Sequence, residues 1–373
     1  MPAKKHKRAV TNDRLRLTIP LEQIEGGARE QIERTLALPC LKVLAIMPDV
    51  HVGYDLPIGG VALLDGHIWP GAVGYDIGCG MCHVLTEKPL AELPDLHQVY
   101  NRILQLIPVG FETHKKKTGF DKFPNVSGDG KLNDVVREKA PIQLGTLGGG
   151  NHFIEIGVNP YDIVGITIHS GSRHPGWQIG DYYMKKTKGP VPVDSAIARA
   201  YVQDMEWALE YALENRAAMM RRCLEALGLG EDLMQGMINE NHNHAEITPA
   251  GVLHRKGATP AESGQLGIIP ANMRDGVWIT RGLGNEFFLC SASHGAGRTM
   301  SRKKARQAID FRSFMAQMEG IVAPVEPRLL DEAPDAYKKI DDVLKAQDGV
   351  LVDVIDHFRP VLVVKGCSEM VIT

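Results

Sequence analysis

The run from Gly71 to His83, GAVGYDIGCGMCH, constrains the fold of this chain more than any other stretch. It has glycines at positions 71, 74, 78 and 80, and it places Asp76 three residues before Cys79. Glycine is used where the backbone must turn sharply or approach another group closely. A carboxylate and a thiol presented from such a turn suit a metal ion, because thiolates bind soft and borderline ions and carboxylates bind hard ones. The alternative is a glycine-rich turn that carries a buried structural cysteine.

Composition limits the classes of protein that this chain can belong to. It has 373 residues, of which 44% are hydrophobic and 23% charged, so it can bury a sizeable core. The formal net charge of -3 excludes a generally basic nucleic-acid binder. Contacts with nucleic acid would have to come from local basic patches, such as HKKK at 114–117 and RKKAR at 302–306.

The cysteine count and the first residues indicate the compartment. Six cysteines in a chain of this length do not suggest a disulfide framework. The basic N-terminal residues are not followed by the apolar segment of a signal peptide, and no apolar run reaches the roughly eighteen residues of a membrane span. We therefore expect a cytoplasmic protein with reduced thiols and no membrane partner.

The pattern of apolar segments predicts a mixed α+β fold. Strands are expected over LKVLAIMPDV, IVGITIHSGSR and HFRPVLVVKG, a hairpin over VALLDGHIWPGAV, a surface loop over 110–135 and a turn over LHRKGATPA. The strongest helical stretch is 194–227, with Ser195 or Asp194 as its cap and Gly228 at its end. Several strands lack a crossover helix, which argues against a doubly wound sheet. We predict a polar tail and first strand over 1–20, and a single large domain over 21–373.

Histidines in glycine-flanked turns or at strand ends extend the metal hypothesis. A single histidine of this kind is usually structural, but four of them with Asp76 and Cys79 suit an ion such as Mn, Zn, Fe or Co. If Cys79 bridges, the set could hold two ions, which can activate both partners of a phosphoryl displacement. The four histidines are His152, His169, His242 and His294.

His294 differs from the other three because it lies in SHGAGR, beside two glycines and Arg298. Glycine N–H groups can cradle phosphate oxygens, and an arginine can bind them bidentately. A histidine in this setting can act as a covalent carrier of a phosphoryl or nucleotidyl group. Cys82 completes a CxxC with Cys79, a pattern typical of zinc or redox sites, but no second pair is present and we interpret Cys82 as a packing residue.

The sequence resembles the RtcB family of GTP-dependent RNA-splicing ligases. The segments that carry the resemblance run from about residue 47 to 366 in the family's order: MPDVHVGYDLPIGG, GYDIGCGM, LGGGNHFIE, HSGSR, HNHAE, HRKGATPA, SHGAGRTMSRKKA and VVKG. The resemblance implies an RtcB-like fold with antiparallel-rich sheets surrounded by helices.

The resemblance also implies an activity. Members of the family join an RNA 2′,3′-cyclic phosphate or 3′-phosphate end to a 5′-hydroxyl end, with GTP and two Mn²⁺ ions. A histidine takes GMP from GTP and passes it to the RNA 3′-phosphate, and the 5′-hydroxyl then displaces GMP. The implied roles are tRNA splicing or RNA repair. The resemblance leaves open an archease-type activator, and we expect a monomer or a weak homodimer.

The resemblance assigns roles residue by residue. His294 takes the position of the nucleophile, and Asp49 that of a catalytic or supporting carboxylate. One manganese would bind Cys79, His152 and His169, and the other Asp76, Cys79 and His242. Arg173, Arg298 and Arg302 would bind RNA. The positions that would contact GTP are Asn151, His152, Phe153, Ile154, Glu155, His242, Asn243, Pro270, Ala271, Asn272, Met273, His294, Gly295, Ala296, Gly297 and Lys365.

One segment departs from the family pattern. The family usually has Pro-Gly-x-Met-Gly where this chain reads PANMRDGV from Pro270 to Val277, so both glycines are replaced and Arg274 and Asp275 add two charges. The departure bears on base recognition and on the preference for GTP. It motivates an alternative, a dinuclear metal-dependent hydrolase of 2′,3′-cyclic phosphates that does not ligate. A non-catalytic RNA-end-binding module is disfavoured, because His294 and all the candidate ligands are in place.

Overall fold

The computed structural model describes residues 13–118, 126–127 and 130–366. Its strands are β1 Leu15–Leu17, β2 Leu41–His51, β3 Ile58–Leu64, β4 His67–Ile68, β5 Gly80–Pro89, β6 Phe153–Val158, β7 Ile163–Ser170, β8 Val191–Pro192, β9 Ile238–Asn241, β10 Asn243–Thr248, β11 Gly251–Lys256, β12 Ala258–Pro260, β13 Leu266–Pro270, β14 Val277–Gly282, β15 Ser291–Ser293 and β16 Val352–Val364.

The α-helices surround these strands. They are α1 Gly26–Leu36, α2 Pro70–Val73, α3 Leu96–Leu106, α4 Gly130–Gln143, α5 Arg173–Thr187, α6 Ala196–Leu227, α7 Arg302–Ala308, α8 Phe311–Gln317 and α9 Ile340–Lys345. Short 3₁₀ turns cover Leu21–Gln23, Leu90–Glu92, Glu231–Gly236, Glu286–Phe288, Pro327–Glu332 and Pro334–Ala336. No helix within the described ranges has the length and apolar character needed to cross a membrane.

Two sheets form the framework. A five-stranded sheet has the order β1-β2-β3-β11-β10, and a seven-stranded sheet has the order β13-β14-β16-β6-β7-β5-β9. Neighbouring strands run antiparallel throughout both sheets except for the parallel pair β1 and β2. The prediction of a mixed α+β fold with antiparallel-rich sheets is confirmed.

Helix α6 begins and ends where the sequence predicts. The Ser195 side chain accepts the Ala198 amide hydrogen, and Gly228 closes the helix at φ 70°. Its apolar face packs on the seven-stranded sheet, where Met219, Cys223 and Leu224 meet residues of β6 and β7.

Three local predictions are wrong. The VALLDGHIWPGAV stretch is not a hairpin, because β3 pairs with β2 and β11 while β4 pairs with β8. LHRKGATPA is not simply a turn, because most of it belongs to strands β11 and β12 on either side of Gly257. The loop expected over 110–135 ends at Gly130, where α4 begins, and its residues 119–125 and 128–129 lie outside the described ranges. In each case long-range pairing or packing outweighs the local turn signals.

Two buried histidines, His83 and His254, make the fold sensitive to acid. Burial lowers the pKa of His83 to about 3 and that of His254 to about 4. His254 Nε2 accepts the Trp69 amide hydrogen at 2.9 Å, and its Nδ1 donates to the Val252 carbonyl at 3.1 Å. The bond from the Trp69 amide requires the neutral ring, because a protonated Nε2 cannot accept a hydrogen bond. Below the unfolded pKa of about 6.5, the unfolded chain takes up protons that the folded chain does not, so stability is lost as the pH falls.

We therefore expect the free energy of unfolding to fall between about pH 6 and pH 4, by roughly 1.4 kcal/mol per pH unit for each of these two histidines. Urea denaturation at a series of pH values measures the slope. A His83→Asn variant removes one of the two groups and should flatten the slope. A stability that stays constant or rises across this interval would contradict the prediction.

Candidate active site

The register of the seven-stranded sheet brings the predicted ligands together. Cys79 immediately precedes β5 and His152 immediately precedes β6, while His169 lies near the end of β7 and His242 follows β9. These four strands are antiparallel neighbours, with Gly80 opposite both Ser170 and Asn241, and Phe153 opposite His169. The starts of two strands and the ends of the other two therefore meet at one edge of the sheet.

The ligand atoms form two groups that share Cys79. Asp76, Cys79 and His152 make one group, and Cys79, His169 and His242 make the other. His152 Nε2 lies 3.1 Å from Asp76 Oδ2 and 3.5 Å from Cys79 Sγ. His169 Nε2 lies 3.2 Å from the same sulfur and 3.3 Å from His242 Nε2. All five predicted metal residues are thus in one cluster.

This grouping differs from the division of ligands expected from the sequence. We expected His152 to share an ion with His169, and Asp76 to share the other with His242. The geometry instead pairs His152 with Asp76, and His169 with His242. The shared position of Cys79 is as expected. Sequence order does not contain this information, because the pairing depends on which side of the sulfur each ring approaches.

The protonation states of the cluster fit a divalent cation. Burial lowers the pKa of His169 and of His242 well below the usual value, so both rings are neutral. Burial, reinforced by Asp76, raises the pKa of the Cys79 thiol. Burial alone would raise the pKa of Asp76, but hydrogen bonds with His152 and Cys79 and the charge of Arg173 outweigh it and lower that pKa. A bound cation would supply the positive charge that deprotonates the thiol.

Carbonyl groups behind the histidines orient them as ligands. His152 Nδ1 donates to the Leu147 carbonyl at 2.9 Å, and His169 Nδ1 donates to the Asn151 carbonyl at 3.1 Å. When Nδ1 carries the only ring hydrogen, the lone pair is on Nε2, which faces the cluster in both residues. Support of this kind for the outer nitrogen is typical of histidine metal ligands.

Close packing explains Gly78 of the opening turn and Gly171, which lies against that turn. Gly78 has φ 71°, and a Cβ added there would lie 2.8 Å from the Ala212 side chain of helix α6. A Cβ at Gly171 would lie 2.3 Å from Asp76 Oδ1. Larger residues would push the turn away from α6 or displace the Asp76 carboxylate.

Arg216 of α6 holds the segments that carry the cluster, and the sequence analysis did not find it. The fully buried guanidinium donates to the carbonyls of Gly78 and Ser170 at 2.9 Å, and to the side-chain oxygens of Asn239 and Asn241 at 2.7 Å. It therefore ties together the segments that carry Cys79, His169 and His242. A signal was available, because Arg216 follows Ala212 by one turn among residues of α6 that are mostly apolar.

Asp49 and His294 form a second unit beside the cluster. The Asp49 carboxylate is completely buried, and its Oδ2 accepts the Nδ1 hydrogen of His294 at 2.6 Å and the His294 amide hydrogen at 3.2 Å. The His294 ring centroid lies 4.8 Å from that of His242. Because Nδ1 donates to the carboxylate, Nε2 is the nitrogen that can present a lone pair for nucleophilic attack.

A cavity of about 690 Å³ opens in front of His294. Its walls include Phe153, Glu155 and Lys365. Glu155 is buried, its Oε1 has no hydrogen-bond partner, and burial raises the pKa of its carboxyl well above the usual value. An unpaired buried carboxyl that faces a cavity marks a position where a ligand can donate hydrogen bonds.

Most of the predicted nucleotide residues line this cavity, and four do not. Strand β6 alternates, so Phe153 and Glu155 face the cavity while Ile154 packs in the core against α6. Asn243 braces the turn that carries Asp76 and Cys79, since its Nδ2 donates to the Asp76 carbonyl at 3.1 Å. His152 and His242 belong to the ligand cluster. The predicted residues on the wall are Asn151, Phe153, Glu155, Pro270, Ala271, Asn272, Met273, His294, Gly295, Ala296, Gly297 and Lys365.

The three arginines predicted to bind RNA have different surroundings. A Cβ at Gly148 would lie 2.1 Å from Arg173 Nη1, and one at Gly150 would lie 3.3 Å from Arg302 Nη2, so the LGGGN turn lies between these two cations. Arg298 donates to the Asp331 carbonyl at 2.6 Å and lies over the Tyr337 ring. Arg298 and Arg302 both line the cavity.

Two buried carboxylates, Asp331 and Glu332, hold the cations of this wall, and sequence reasoning missed both. Arg302 Nη1 donates to Asp331 Oδ2 at 2.8 Å and also to Glu332, and Lys365 Nζ donates to Glu332 Oε2 at 2.6 Å. Burial alone would raise the pKa of Glu332, but the charges of Lys365, Arg302 and Arg298 lower it to about 2. No local motif marks this pair, which acts only through residues distant in sequence.

The two charged residues of the segment from Pro270 to Val277, which departs from the family pattern, lie outside the cavity wall. Arg274 Nε donates to Asp275 Oδ1 at 2.7 Å, and Asn272 Nδ2 donates to Asp275 Oδ2 at 2.8 Å. Pro270, Ala271, Asn272 and Met273 line the cavity, whereas Arg274 and Asp275 do not. Arg274 and Asp275 therefore neutralise each other's charge without facing the cavity.

The fold and the site together define a class of protein: a mixed α+β chain with a histidine-, cysteine- and aspartate-rich cluster beside a deep cavity. Comparison with known proteins gives the family. The profile described as tRNA-splicing ligase RtcB matches residues 31–141 and 124–366. This chain belongs to the RtcB family.

Named relatives cover almost the whole chain. RNA-splicing ligase RtcB1 of Escherichia coli ATCC 25922 and RNA-splicing ligase RtcB of Escherichia coli K12 are each 37% identical to it over 388 residues, which span 92% of this chain and 95% of each relative. The tRNA-splicing ligase RtcB of Nanoarchaeum equitans is 28% identical over 424 residues, which span 87% of this chain and 88% of the relative.

Proposed function

We propose that this chain is an RNA ligase that joins a 2′,3′-cyclic phosphate or 3′-phosphate end to a 5′-hydroxyl end, with GTP as the activating nucleotide. Membership of the RtcB family supports the reaction class. The observation that carries the mechanism is the Asp49–His294 pair, with Nδ1 held at 2.6 Å by a buried carboxylate and the ring beside a ligand cluster and a cavity. This geometry suits a nucleophile better than a metal ligand.

The proposed reaction has three displacements. His294 Nε2 attacks the α-phosphorus of GTP, a P–N bond forms, and pyrophosphate leaves with the electron pair of the broken P–O bond. An oxygen of the RNA 3′-phosphate then attacks the same phosphorus and releases neutral His294. The 5′-hydroxyl loses its proton, attacks the RNA phosphorus and displaces GMP. A cyclic phosphate is first opened by water to a 3′-phosphate.

The residues of the chain support this sequence at defined atoms. Asp49 stabilises the positive charge that develops on the His294 ring when the P–N bond forms. Arg173 and Arg302, on either side of the LGGGN turn, can hold the RNA phosphate. Two Mn²⁺ ions bound by the two ligand groups would supply Lewis-acid activation of phosphoryl oxygens.

A covalent adduct is the direct test. Incubation with GTP labelled at the α-phosphate and with Mn²⁺ is expected to label the protein, and acid is expected to release the label because an N–P bond is acid-labile. His294→Ala should abolish labelling without loss of bound metal. Wild-type protein that opens a cyclic phosphate without GTP and forms no adduct would instead identify the alternative hydrolase. Absence of an adduct with every divalent metal tested would overturn the proposal.

Glu155 gives a separate prediction about the choice of nucleotide. Guanine presents two adjacent N–H donors, which favour the deprotonated form of Glu155 and can be accepted together by its two oxygens, whereas adenine presents an acceptor at one of these positions. We expect Glu155→Gln to reduce the preference for GTP over ATP by at least about tenfold, since one hydrogen bond to a charged group contributes roughly 1.5–3 kcal/mol. Competition between labelled GTP and ATP for adduct formation measures the preference. An unchanged ratio would exclude Glu155 from base recognition.

A further inference from the structure

Four aromatic rings form a continuous ladder beside the ligand cluster. His174 stacks on Trp177 with ring centroids 5.9 Å apart and planes within 9°, and Trp177 stacks on Tyr75 at 5.5 Å and 15°. Tyr54 then contacts Tyr75 edge-on at 4.8 Å. We call His174, Trp177, Tyr75 and Tyr54 the aromatic ladder. The mechanism described above gives these rings no role.

The ladder follows a path from helix α5 to the mouth of the cavity. Trp177 lies one turn beyond Arg173 in α5, and Tyr75 immediately precedes Asp76, a residue of the ligand cluster. Tyr54 at the far end lines the cavity that contains His294. A strand whose terminal phosphate reached the cluster would therefore pass the ladder with its neighbouring nucleotides.

Exposure and charge indicate what the ladder contacts. Tyr54 is 61% exposed and Trp177 is 43% exposed, so large aromatic surfaces face solvent. The Lys256 ammonium lies 5.8 Å from the Tyr54 ring centroid and donates to the Val73 carbonyl at 2.9 Å, and Arg173 precedes His174 at the start of α5. Tyr54 shares the cavity wall with the cations Arg298, Arg302 and Lys365. Exposed aromatic rings beside a cleft that carries cations are typical of surfaces that bind single-stranded nucleic acid, where bases stack on the rings and phosphates meet the cations.

We propose that the aromatic ladder is a stacking platform for the bases of single-stranded RNA next to the end that is joined. The proposal rests on the ligase function inferred above and extends it by a binding surface. Stacking on aromatic rings tolerates any base, because every base has a π-face. The platform would hold RNA ends in place without selecting their sequence.

Binding of a short 3′-phosphorylated uridine oligonucleotide, without GTP, tests the platform directly. The matched probe is an oligonucleotide of the same length with abasic sugars, which keeps the phosphates and removes the bases. We expect the uridine probe to bind the metal-loaded protein about tenfold more tightly than the abasic probe, because stacking contributes roughly 1–3 kcal/mol per base. Trp177→Ala should remove most of this difference, and Trp177→Phe should retain it.

Two controls distinguish loss of stacking on the aromatic ladder from other effects of the substitutions. Tyr161→Ala removes a tyrosine that is 81% exposed and lies outside the ladder, and it should leave both affinities unchanged. Labelling of His294 by GTP in the same preparations reports the ligase chemistry separately, so failure of that chemistry is distinguishable from loss of stacking. Equal affinities of the wild type for the two probes would overturn the proposal. So would a Trp177→Ala variant that binds the uridine probe like wild type, as expected if the ladder contacts another protein.

Discussion

Replacing Asp49 with asparagine is expected to slow the formation of the His294–GMP adduct by on the order of 10³-fold or more, by analogy with the loss of the buried carboxylate from a catalytic triad. An amide cannot stabilise the positive charge on the attacking imidazole as a carboxylate does. It would also place an N–H₂ group at the Oδ1 position, which has no partner in the buried site. The first effect acts on the transition state of the first displacement, whereas the unpaired N–H₂ group destabilises the folded site.

The measurement is a single-turnover rate of labelling at saturating GTP. The affinity for GTP and the metal content are the controls, because Asp49 contacts neither the two ligand groups nor Glu155. Asp49→Ala should show a loss of at least similar size. A rate within about tenfold of wild type in Asp49→Asn would show that hydrogen bonding to the ring, and not the charge, is what His294 requires.

Cys79→Ala is expected to remove both metal ions, because Cys79 Sγ is the atom that the two ligand groups share. Asp76→Ala should weaken only the ion held with His152 and should spare the ion held by His169 and His242. His242→Ala should have the opposite effect. Elemental analysis of each variant after Mn²⁺ loading and desalting, with a titration that resolves two binding steps, measures the outcome.

Cys82→Ala is the matched control for this series. Cys82 is as buried as Cys79 and lies three residues away, but its thiol faces the Arg216 carbonyl and the core, not the cluster. The Cys82→Ala variant should therefore keep both ions. If Asp76→Ala and His242→Ala lost the same ion, or if Cys79→Ala lost only one, the division of ligands derived from the geometry would be wrong.

The sequence predicts the elements whose signals lie within their own segment better than those that depend on distant segments. Helix α6 was predicted almost to its ends, because its capping serine and terminal glycine lie within the segment that they terminate. The hairpin expected over VALLDGHIWPGAV failed, because strand β3 finds its partners in β2 and β11. An Asp-Gly turn signal reports where the chain bends but not which strand it meets next.

The sequence alone determined which chemical groups this protein can use. The motifs around Asp49, Cys79 and His294 carry the thiol, carboxylates and imidazoles of the site, and their order is sufficient for recognition of the family. Only the tertiary structure decided which of those groups lie together and which other residues hold them in place. Antiparallel register brings four strand ends to one edge, Arg216 and the Asp331–Glu332 pair act across long sequence separations, and the pairing of ligands around Cys79 depends on directions in space. Residue types and spacing contain the chemistry, whereas distances between segments come from packing.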